Sequence, residues 1–268
     1  MKLFKNLIIE IKLLVKKITG NYITKKIRGN EKDYLDLYNN CLNRQKNNDF
    51  INKNFDNDEI EFVNKLSLKT QIVKKSSELN FIHGFYIFYY LKKYVEKNNV
   101  KNISILETGT ARGFSSVIMS YLLHSKKISY KIYTIDVIPN NKKIYWNCIT
   151  DLRHGKITRK ELLKNYHHLL QNIIFLCGTS RKILKQLVIE RINFSFLDSS
   201  HDYDDVKFEF DYIEKNIKTG DVVFFDDYTP LLFPGIVRLV KEIQTMDRYN
   251  VTIISSNHHR GYAICEKK

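Results

Sequence analysis

The sequence has few cysteines, and no two of them form a closely spaced pair. It contains 4 cysteines in 268 residues, at positions 41, 148, 177 and 265. Structural zinc sites and disulfide-stapled domains both depend on clustered cysteines. The scatter of the cysteines therefore argues against both classes of protein and predicts reduced thiols in a cytoplasmic protein.

Unbroken apolar runs are also missing, most clearly at the N-terminus. Lysines interrupt the apolar residues between Met1 and Thr19, whereas a membrane span needs about 20 predominantly apolar residues. No small-residue cleavage site of a signal peptide follows. Two interpretations fit residues 1–19. They form a basic amphipathic helix in peripheral contact with an anionic membrane, or a helix packed on the body of the protein or on a second copy in a homo-oligomer.

Motifs for nucleic-acid recognition are absent, although the chain is strongly basic. Its formal net charge is +15, a value that can indicate a nucleic-acid or membrane partner. Lysine far outnumbers arginine, Asn, Ile and Tyr are abundant, and only 3 prolines are present, which is typical of an AT-rich coding sequence. Because no basic run is interleaved with a recognition motif, we expect no nucleic-acid partner.

The composition supports one large α/β domain with an extension. Hydrophobic residues make up 43% of the chain, enough for a proper core. Residues 30–58 are polar, with short helical pieces around residues 34–42, and predict a loosely packed linker or cap. We therefore divide the chain into a helical N-terminal extension, residues 1–75, and a domain of residues 76–268. Within the domain, residues 139–171 are long for a connection between two elements. They predict an insert near the site that binds the substrate, the acceptor site.

The most informative stretch is residues 103–116. An apolar run ends at Glu107, breaks at Gly109 and turns at Gly113, and apolar residues then recur with helical spacing from Phe114. This pattern predicts a buried strand, a glycine turn and an amphipathic helix, the first unit of a nucleotide-binding α/β sheet. The glycines let the backbone approach a ligand closely, and the start of the helix offers N–H groups to an anion.

The glycine spacing differs from the dinucleotide fingerprint, because Ala111 and Phe114 stand where Gly-x-Gly-x-x-Gly needs glycine. The motif is instead Glu-x-Gly-x-x-x-Gly-x-Ser, over residues 107–115. It resembles the first motif of class I S-adenosylmethionine (SAM) methyltransferases, with Ala111 in place of the usual middle glycine. The resemblance implies that SAM is the cofactor. The residues it assigns to cofactor binding here are Glu107, Gly109, Thr110, Ala111, Gly113 and Ser115.

Two later strand ends complete the expected cofactor site. Asp136 ends a predicted second strand, where a carboxylate can accept hydrogen bonds from both ribose hydroxyls of an adenosine. A third predicted strand, residues 173–177, is followed by Gly178, Thr179 and Ser180, where relatives of this class commonly place the adenine. Asp198, at the end of the fourth predicted strand, completes the expected cofactor contacts.

The remaining strands predict the topology. Strands are expected at residues 192–197, 221–225, 251–255 and 262–265. The last two are too close for a crossover helix and should form an antiparallel hairpin. The predicted fold is α/β, with a Rossmann-like, seven-stranded, mostly parallel sheet that ends in an antiparallel hairpin. Helices cover both faces, and the helical N-terminal extension precedes the sheet. This arrangement matches the sheet of class I methyltransferases.

Acidic residues follow two neighbouring strands of that sheet. Asp198 ends the fourth strand, and Asp226 and Asp227 end the fifth. Because adjacent strands lie about 4.8 Å apart, the three carboxylates can converge on one point. Their mutual repulsion favours a bound cation, and oxygen ligands favour a hard divalent ion, with Mg²⁺ expected. The alternative is that these aspartates are solvated and cap loops.

The acidic motifs carry a second resemblance. Asp-x-x-His-x-Tyr from Asp198 and Asp-Asp-Tyr from Asp226 resemble the metal-dependent O-methyltransferases of the catechol and sugar-modifying types, a methyltransferase-24-like group. The resemblance implies O-methylation of a small polyhydroxylated acceptor, such as a sugar or glycan precursor. Asp198, with the metal, would then help to activate the acceptor hydroxyl.

His201 is the candidate general base, because imidazole titrates near neutrality. Catechol-type relatives carry a lysine at this position. Some sugar-modifying relatives use an aspartate one position earlier, where this chain has Ser200. A structural role for His201, hydrogen-bonded to a loop carbonyl, is the alternative.

Two other classes of function fit the same motifs. Cephalosporin-hydroxylase-like oxygenases share the fold and the acidic site. A catalytically silent SAM-binding module could instead tether a partner to a membrane through residues 1–19. The three aspartates Asp198, Asp226 and Asp227 argue against the silent module, because such a module has no physical need for three converging carboxylates.

Overall fold

The computed structural model describes residue 27 and residues 29–75, 79–255 and 260–268. Residues 1–19 lie outside this described part, so both interpretations of that segment stay predictions. In the part of the chain that the structure describes, we find no helix with the length and apolar character that a membrane crossing requires.

A seven-stranded sheet forms the centre of the described structure. Its strands are β1, Asn102–Thr108; β2, Ser129–Asp136; β3, Ile173–Cys177; β4, Phe194–Leu197; β5, Val222–Phe225; β6, Tyr249–Ser255; and β7, Gly261–Lys267. Their order across the sheet is β3–β2–β1–β4–β5–β7–β6. Neighbours from β3 to β5 are parallel, whereas β7 is antiparallel to both β5 and β6. The predicted fold class is confirmed.

The central strand β1 is buried on both faces, as strands of parallel sheets are. Ile105 is the register partner of Ile132 on β2 and of Phe194 on β4. All three side chains are fully buried, and β-branched and aromatic residues pack well on a pleated surface. This register brings the ends of β1, β2 and β4 level at one edge of the sheet.

Helices cover both faces of the sheet, as predicted. Among the described residues they are α1, Glu31–Gln45; α2, Asp49–Asn54; α3, Asn57–Thr70; α4, Ile82–Asn98; α5, Phe114–Ser125; α6, Thr150–His154; α7, Arg159–Leu162; a 3₁₀ helix, Lys164–Leu169; α8, Ser180–Leu184; α9, Tyr203–Glu214; and α10, Pro234–Gln244. The first five of these helices contribute to the apolar cluster on one face, and α8, α9 and α10 to the cluster on the other.

Residues 30–58 are not a loose linker, because they form α1, α2 and the beginning of α3. Tyr34 is fully buried in the same apolar cluster as the central strands. The polar residues of this segment cap its helices: at the start of α1, Asn30 and Asp33 each accept the other's backbone N–H. The polarity that predicted a linker thus belongs to caps and exposed faces. The division of the chain after residue 75 stays a prediction.

The insert, residues 139–171, has a small core of its own. Trp146 is 3% exposed and packs in one cluster with Ile144, Cys148, Ile157 and Leu162. Its indole N–H donates a hydrogen bond to the carbonyl oxygen of Ile157 at 2.9 Å. The insert is therefore a packed unit and can hold a side chain in a fixed place against the sheet.

We predict that α3 shares one cooperative core with the sheet. Leu66 of α3 is fully buried in that core, so Leu66→Ala should lower the free energy of unfolding by about 2–5 kcal/mol. The neighbouring exposed Lys65, changed to alanine, is the control and should alter it by less than about 0.5 kcal/mol. Denaturant unfolding followed by circular dichroism is the measurement. A Leu66→Ala effect confined to a separate, minor transition would contradict the shared core.

Candidate functional site

The ends of β1, β2, β3, β4 and β5 meet at one edge of the sheet, which we call the carboxyl edge. The N–H of Asp198 donates to the carbonyl oxygen of Thr108 at 2.9 Å, and the N–H of Asp226 donates to that of Leu197 at 3.0 Å. Loops that carry the expected cofactor and metal residues are thus direct neighbours. In open α/β sheets, ligands bind at this edge.

The turn after β1 requires glycine at two positions. Gly109 has a φ of +97°, and a Cβ there would lie 2.0 Å from the carbonyl oxygen of Asp198. Gly113 has a φ of +85°, and a Cβ there would lie 2.8 Å from Leu163. Ala111, in place of the usual middle glycine, has a φ of +45°, a left-handed conformation that is costlier for alanine than for glycine because alanine has a Cβ. The turn therefore packs directly against the end of β4.

Glu107 lies beneath this turn and is fully buried. It accepts hydrogen bonds from the hydroxyls of Ser115, Ser116 and Thr134, the last at 2.5 Å. Burial raises the pKa of Glu107, and the three hydroxyl donors oppose that shift. The hydroxyl of Thr110 lies 2.5 Å from that of Thr134. The expected cofactor residues Glu107, Thr110 and Ser115 are thus joined in one network that braces the turn.

Asp136 stands beside the turn, at the end of β2. Its carboxylate accepts the N–H of Ala111 at 2.5 Å and the N–H of Ile138 at 2.7 Å. Burial raises the pKa of Asp136, and these hydrogen bonds and the positive charge of Arg159 oppose the rise. Each carboxylate oxygen has a second lone pair. Asp136 therefore shapes the turn and can still accept a hydroxyl of a ligand.

The structure adds Arg159, a residue of the insert that the sequence patterns do not indicate. Its side chain is 2% exposed. The guanidinium donates to the carbonyl oxygens of Ala111 and Ile138, at 2.9 and 3.2 Å, and to the side-chain oxygen of Asn140. It also lies 3.8 Å from the carboxylate of Asp136. In a chain this rich in basic residues, no local signal distinguishes this arginine from the exposed ones.

The loop after β3 lies beside Asp136, because the N–H of Gly178 donates to the Asp136 carbonyl oxygen at 2.9 Å. Thr179 caps α8 with its side chain. The side chain of Ser180 lies near Glu209 and lowers the pKa of that carboxyl. The structure therefore places Gly178, Thr179 and Ser180 along the same edge as the turn after β1.

Glu209 of α9 is a second residue that sequence reasoning missed. It is fully buried and accepts hydrogen bonds from the hydroxyls of Thr108 and Ser199, at 2.8 and 2.6 Å. Burial raises the pKa of Glu209, and its hydroxyl donors oppose that shift. Because Thr108 ends β1 and Ser199 follows β4, this carboxylate holds the two loops together.

Three of the expected residues converge after β4 and β5. Asp198, His201 and Asp227 each offer one potential ligand atom, and these atoms lie within 4.8 Å of one another. Nε2 of His201 is 3.0 Å from Oδ2 of Asp227. The imidazole stacks on Phe233, with ring centres 3.9 Å apart. We call Asp198, His201 and Asp227 the acidic cluster.

Asp226 is held apart from this set by an ion pair. It is fully buried, and both of its carboxylate oxygens accept hydrogen bonds from the guanidinium of Arg260, with Nε 3.0 Å from Oδ1. The same Oδ1 also accepts the N–H of Asp227 at 2.7 Å. Arg260 directly precedes β7, and its Nε lies 3.4 Å from Oδ1 of Asp227. The structure thus pairs Asp226 with Arg260, a residue to which sequence reasoning assigned no role.

The charges at this end of the sheet act strongly on one another. Burial, Asp226 and Asp227 raise the pKa of Asp198 well above its ordinary range. Burial also raises the pKa of Asp226, against the charge of Arg260. For Asp227, the hydrogen bond from His201 and the charge of Arg260 outweigh the effect of burial, so its pKa is lowered. The charge of Arg260 acts on all three carboxylates, and the ammonium of Lys75 acts on Asp198 and Asp227. An added cation would stabilise them further.

The donor set of the acidic cluster fits a divalent cation. Carboxylate oxygens are the ligands that Mg²⁺ and Mn²⁺ prefer, and imidazole also binds transition metals. Asp198 and Asp227 supply two carboxylates within reach of one ion, with the imidazole of His201 as a third possible ligand.

Comparison with known families agrees with the fold and with the position of the glycine turn. Residues 106–228 match a family model described as a methyltransferase domain. The matched segment begins within β1 and finishes just after the Asp226–Asp227 pair, so it contains the carboxyl ends of β1 to β5 but not Arg260. No curated protein matches the chain by sequence.

Several solved structures share the fold. The O-methyltransferase TomG from Streptomyces achromogenes, involved in tomaymycin synthesis and solved with SAM, is 13% identical, with a TM-score of 0.55 over 86% of this chain and 96% of that one. An O-methyltransferase from Bacillus cereus, solved with SAH, is 15% identical, with a TM-score of 0.53 over 88% and 100%. The O-methyltransferase NovP is 17% identical, with a TM-score of 0.53 over 76% and 88%.

We predict that Glu107 makes stability depend on pH. Its pKa is raised in the folded state, so its stabilising contribution is complete below the unfolded-state pKa and is lost as pH rises through the folded-state pKa. The melting temperature of the unchanged protein minus that of Glu107→Gln should therefore fall as pH rises above about 4, the ordinary pKa of an unfolded glutamate. Thermal unfolding across this range is the measurement, with exposed Glu61→Gln as control. A difference that is constant with pH would contradict the assignment.

Proposed function

We propose that this chain, whose residues 106–228 match a family model described as a methyltransferase domain, transfers a methyl group from SAM to a hydroxyl of a small acceptor. The observation that carries the proposal is the joining of two sites at the carboxyl edge. The glycine turn after β1 touches the loop of the acidic cluster, since Gly109 packs against the backbone of Asp198. A methyl donor in the first site would thus lie next to a hydroxyl held in the second.

The cofactor proposal rests on the residues around the turn. Gly109 and Gly113 leave room for a ligand beside the backbone, and Asp136 can accept ribose hydroxyls at the end of β2. Arg159 and the buried Glu107 hold this loop in one shape. The solved neighbours TomG and the Bacillus cereus enzyme contain SAM and SAH, and we propose SAM as the cofactor of this chain also.

The acceptor proposal rests on the acidic cluster. Asp198 and Asp227 would hold a divalent ion, with Mg²⁺ expected, and when bound this ion would lower the pKa of the acceptor hydroxyl. Carboxylates and an imidazole suit an acceptor with several hydroxyls, because they can accept more than one hydrogen bond from it. We therefore propose a polyhydroxylated acceptor, such as a sugar or glycan precursor.

His201 is proposed as the proton acceptor. Its Nε2 faces Asp227 at 3.0 Å, and its ring is stacked on Phe233, so the imidazole is held in one orientation. The acceptor O–H bond breaks as its proton passes to this imidazole. The oxygen then forms a bond with the methyl carbon while the bond between methyl and sulfur breaks, which leaves a methyl ether and S-adenosylhomocysteine. Asp227 stabilises the imidazolium that forms.

We predict that SAM and S-adenosylhomocysteine bind this chain and that Asp136 contributes to their affinity. Asp136→Asn removes the charge that accepts the ribose hydroxyls and should weaken binding at least about tenfold. Half-buried Asp211 on α9, which pairs with Lys207, is the matched control, and its change to asparagine should leave the affinity unchanged. Isothermal titration calorimetry measures all three proteins. If neither ligand binds the unchanged protein at about millimolar concentration, the cofactor proposal is wrong.

The acceptor class can be tested with SAM that carries a labelled methyl group. Incubation with cell extract should label a small hydroxylated compound as a methyl ether. A label on nitrogen or carbon would contradict O-methylation.

With that acceptor, the role of His201 becomes measurable. His201→Gln keeps a hydrogen-bonding side chain but cannot take up a proton, so kcat should fall about 10²-fold or more. Affinity for Mn²⁺ should change by less than about threefold, because the carboxylates remain. Turnover and Mn²⁺ titrations are the two measurements. A large loss of Mn²⁺ affinity with little loss of kcat at saturating Mn²⁺ would make His201 a metal ligand and refute its role as base.

A further inference from the structure

Asp226 and Arg260 form a buried, bidentate ion pair beside the acidic cluster. Both oxygens of Asp226 accept hydrogen bonds from the guanidinium, and one of them also accepts the N–H of Asp227. Asp226 is fully buried, and the side chain of Arg260 is only 21% exposed. A bidentate contact of this kind is directional and strong, because both hydrogen bonds involve charged groups.

The backbone holds Arg260 at this place. Arg260 directly precedes Gly261, the first residue of β7, and the carbonyl oxygen of Gly261 accepts the N–H of Tyr228 at 2.8 Å. A Cβ on Gly261 would lie 2.3 Å from the carbonyl oxygen of Tyr228, so the two backbones are in close contact. Since β7 pairs with β5, the hairpin brings the arginine to the end of the strand that carries Asp226.

The ion pair decides which carboxylates remain for a metal. Arg260 neutralises Asp226, which leaves Asp198 and Asp227 as the two carboxylates that can face a divalent ion. The ammonium of Lys75 also acts on both of these carboxylates. Nε of Arg260 also lies 3.4 Å from Asp227, so the guanidinium stands beside the place that such an ion would take and opposes a second one by repulsion.

We propose that Arg260 is a built-in counter-ion that keeps Asp226 out of the ligand set, so that the site takes one divalent ion, through Asp198 and Asp227. Arg260 is a positioning residue in this inference. The inference rests on the proposed function, because it concerns how the proposed metal is held. It departs from the expectation from sequence that Asp198, Asp226 and Asp227 act as equal ligands.

The test is an exchange that removes both charges of the pair together. In Asp226→Asn/Arg260→Gln the net charge of the site is unchanged, so Mn²⁺ should bind with an affinity within about threefold of the unchanged protein and with one ion per chain. Arg260→Gln alone should tighten Mn²⁺ binding about fivefold or more, because a repelling charge disappears and Asp226 is released. Asp227→Asn should weaken it at least about tenfold. Calorimetry and the electron paramagnetic resonance of bound Mn²⁺ measure affinity and number.

The chain offers a matched control for the loss of a buried pair. Asp221, fully buried before β5, is paired with Arg191 through two hydrogen bonds, at 2.9 and 3.3 Å. Asp221→Asn/Arg191→Gln makes the same exchange at the opposite end of the strand and should leave Mn²⁺ affinity unchanged. Arg260→Lys keeps the charge and provides a milder variant, expected to bind Mn²⁺ as the unchanged protein does.

The outcomes separate this inference from the proposed function. If the charge-neutral double variant loses Mn²⁺ affinity at least about tenfold, as Asp227→Asn does, Asp226 is a ligand and the inference is overturned. If Arg260→Gln does not tighten binding, the guanidinium does not act as a counter-ion, which also overturns it. An unchanged protein that binds no Mn²⁺ would instead refute the proposed metal, while SAM binding and methyl transfer are judged by their own experiments.

Discussion

The structure at the carboxyl edge depends on one constraint, which is that buried carboxylates must be given hydrogen-bond donors. Glu107, Glu209 and Asp226 are all fully buried there, and a buried charge without partners would be costly. Hydroxyl groups donate hydrogen bonds to Glu107 and Glu209, and a guanidinium donates to Asp226. Because these donors come from different helices and strands, satisfying the carboxylates also fixes the loops that carry the site.

Two regions with different physical character result. Around Asp136 the backbone, the glycines of the turn and Arg159 determine the shape of the site. This region suits a ligand that is recognised by its shape and its hydrogen bonds. Around Asp198 and Asp227 it is shaped by charge. The contact of Gly109 with the backbone of Asp198 joins the two regions, so that a bulkier residue at position 109 would force them apart.

Much of the fold and part of the site could be predicted from local patterns. The strand, turn and helix of residues 103–116 were recognisable because burial, glycine and helical spacing follow one another along the chain. Asp136, Asp198 and Asp227 were predictable because parallel strands end at the same edge of a sheet. The N-terminal extension was correctly predicted to be helical, but its packing was misjudged, since capping residues such as Asn30 and Asp33 make a packed helical segment look like a loose polar linker. The sequence patterns also gave no prediction of α10, Pro234–Gln244.

The sequence by itself determined the order of the elements, the glycine turn and the set of acidic residues at the strand ends, because each depends on neighbours in the chain. Only the tertiary structure decided which carboxylate meets which cation. Arg260 reaches Asp226 across 34 residues of sequence, and Glu209 meets Thr108 across 101. Sheet pairing and helix packing select these partners. In a chain with many basic residues, the sequence does not show which of them will contact a given carboxylate.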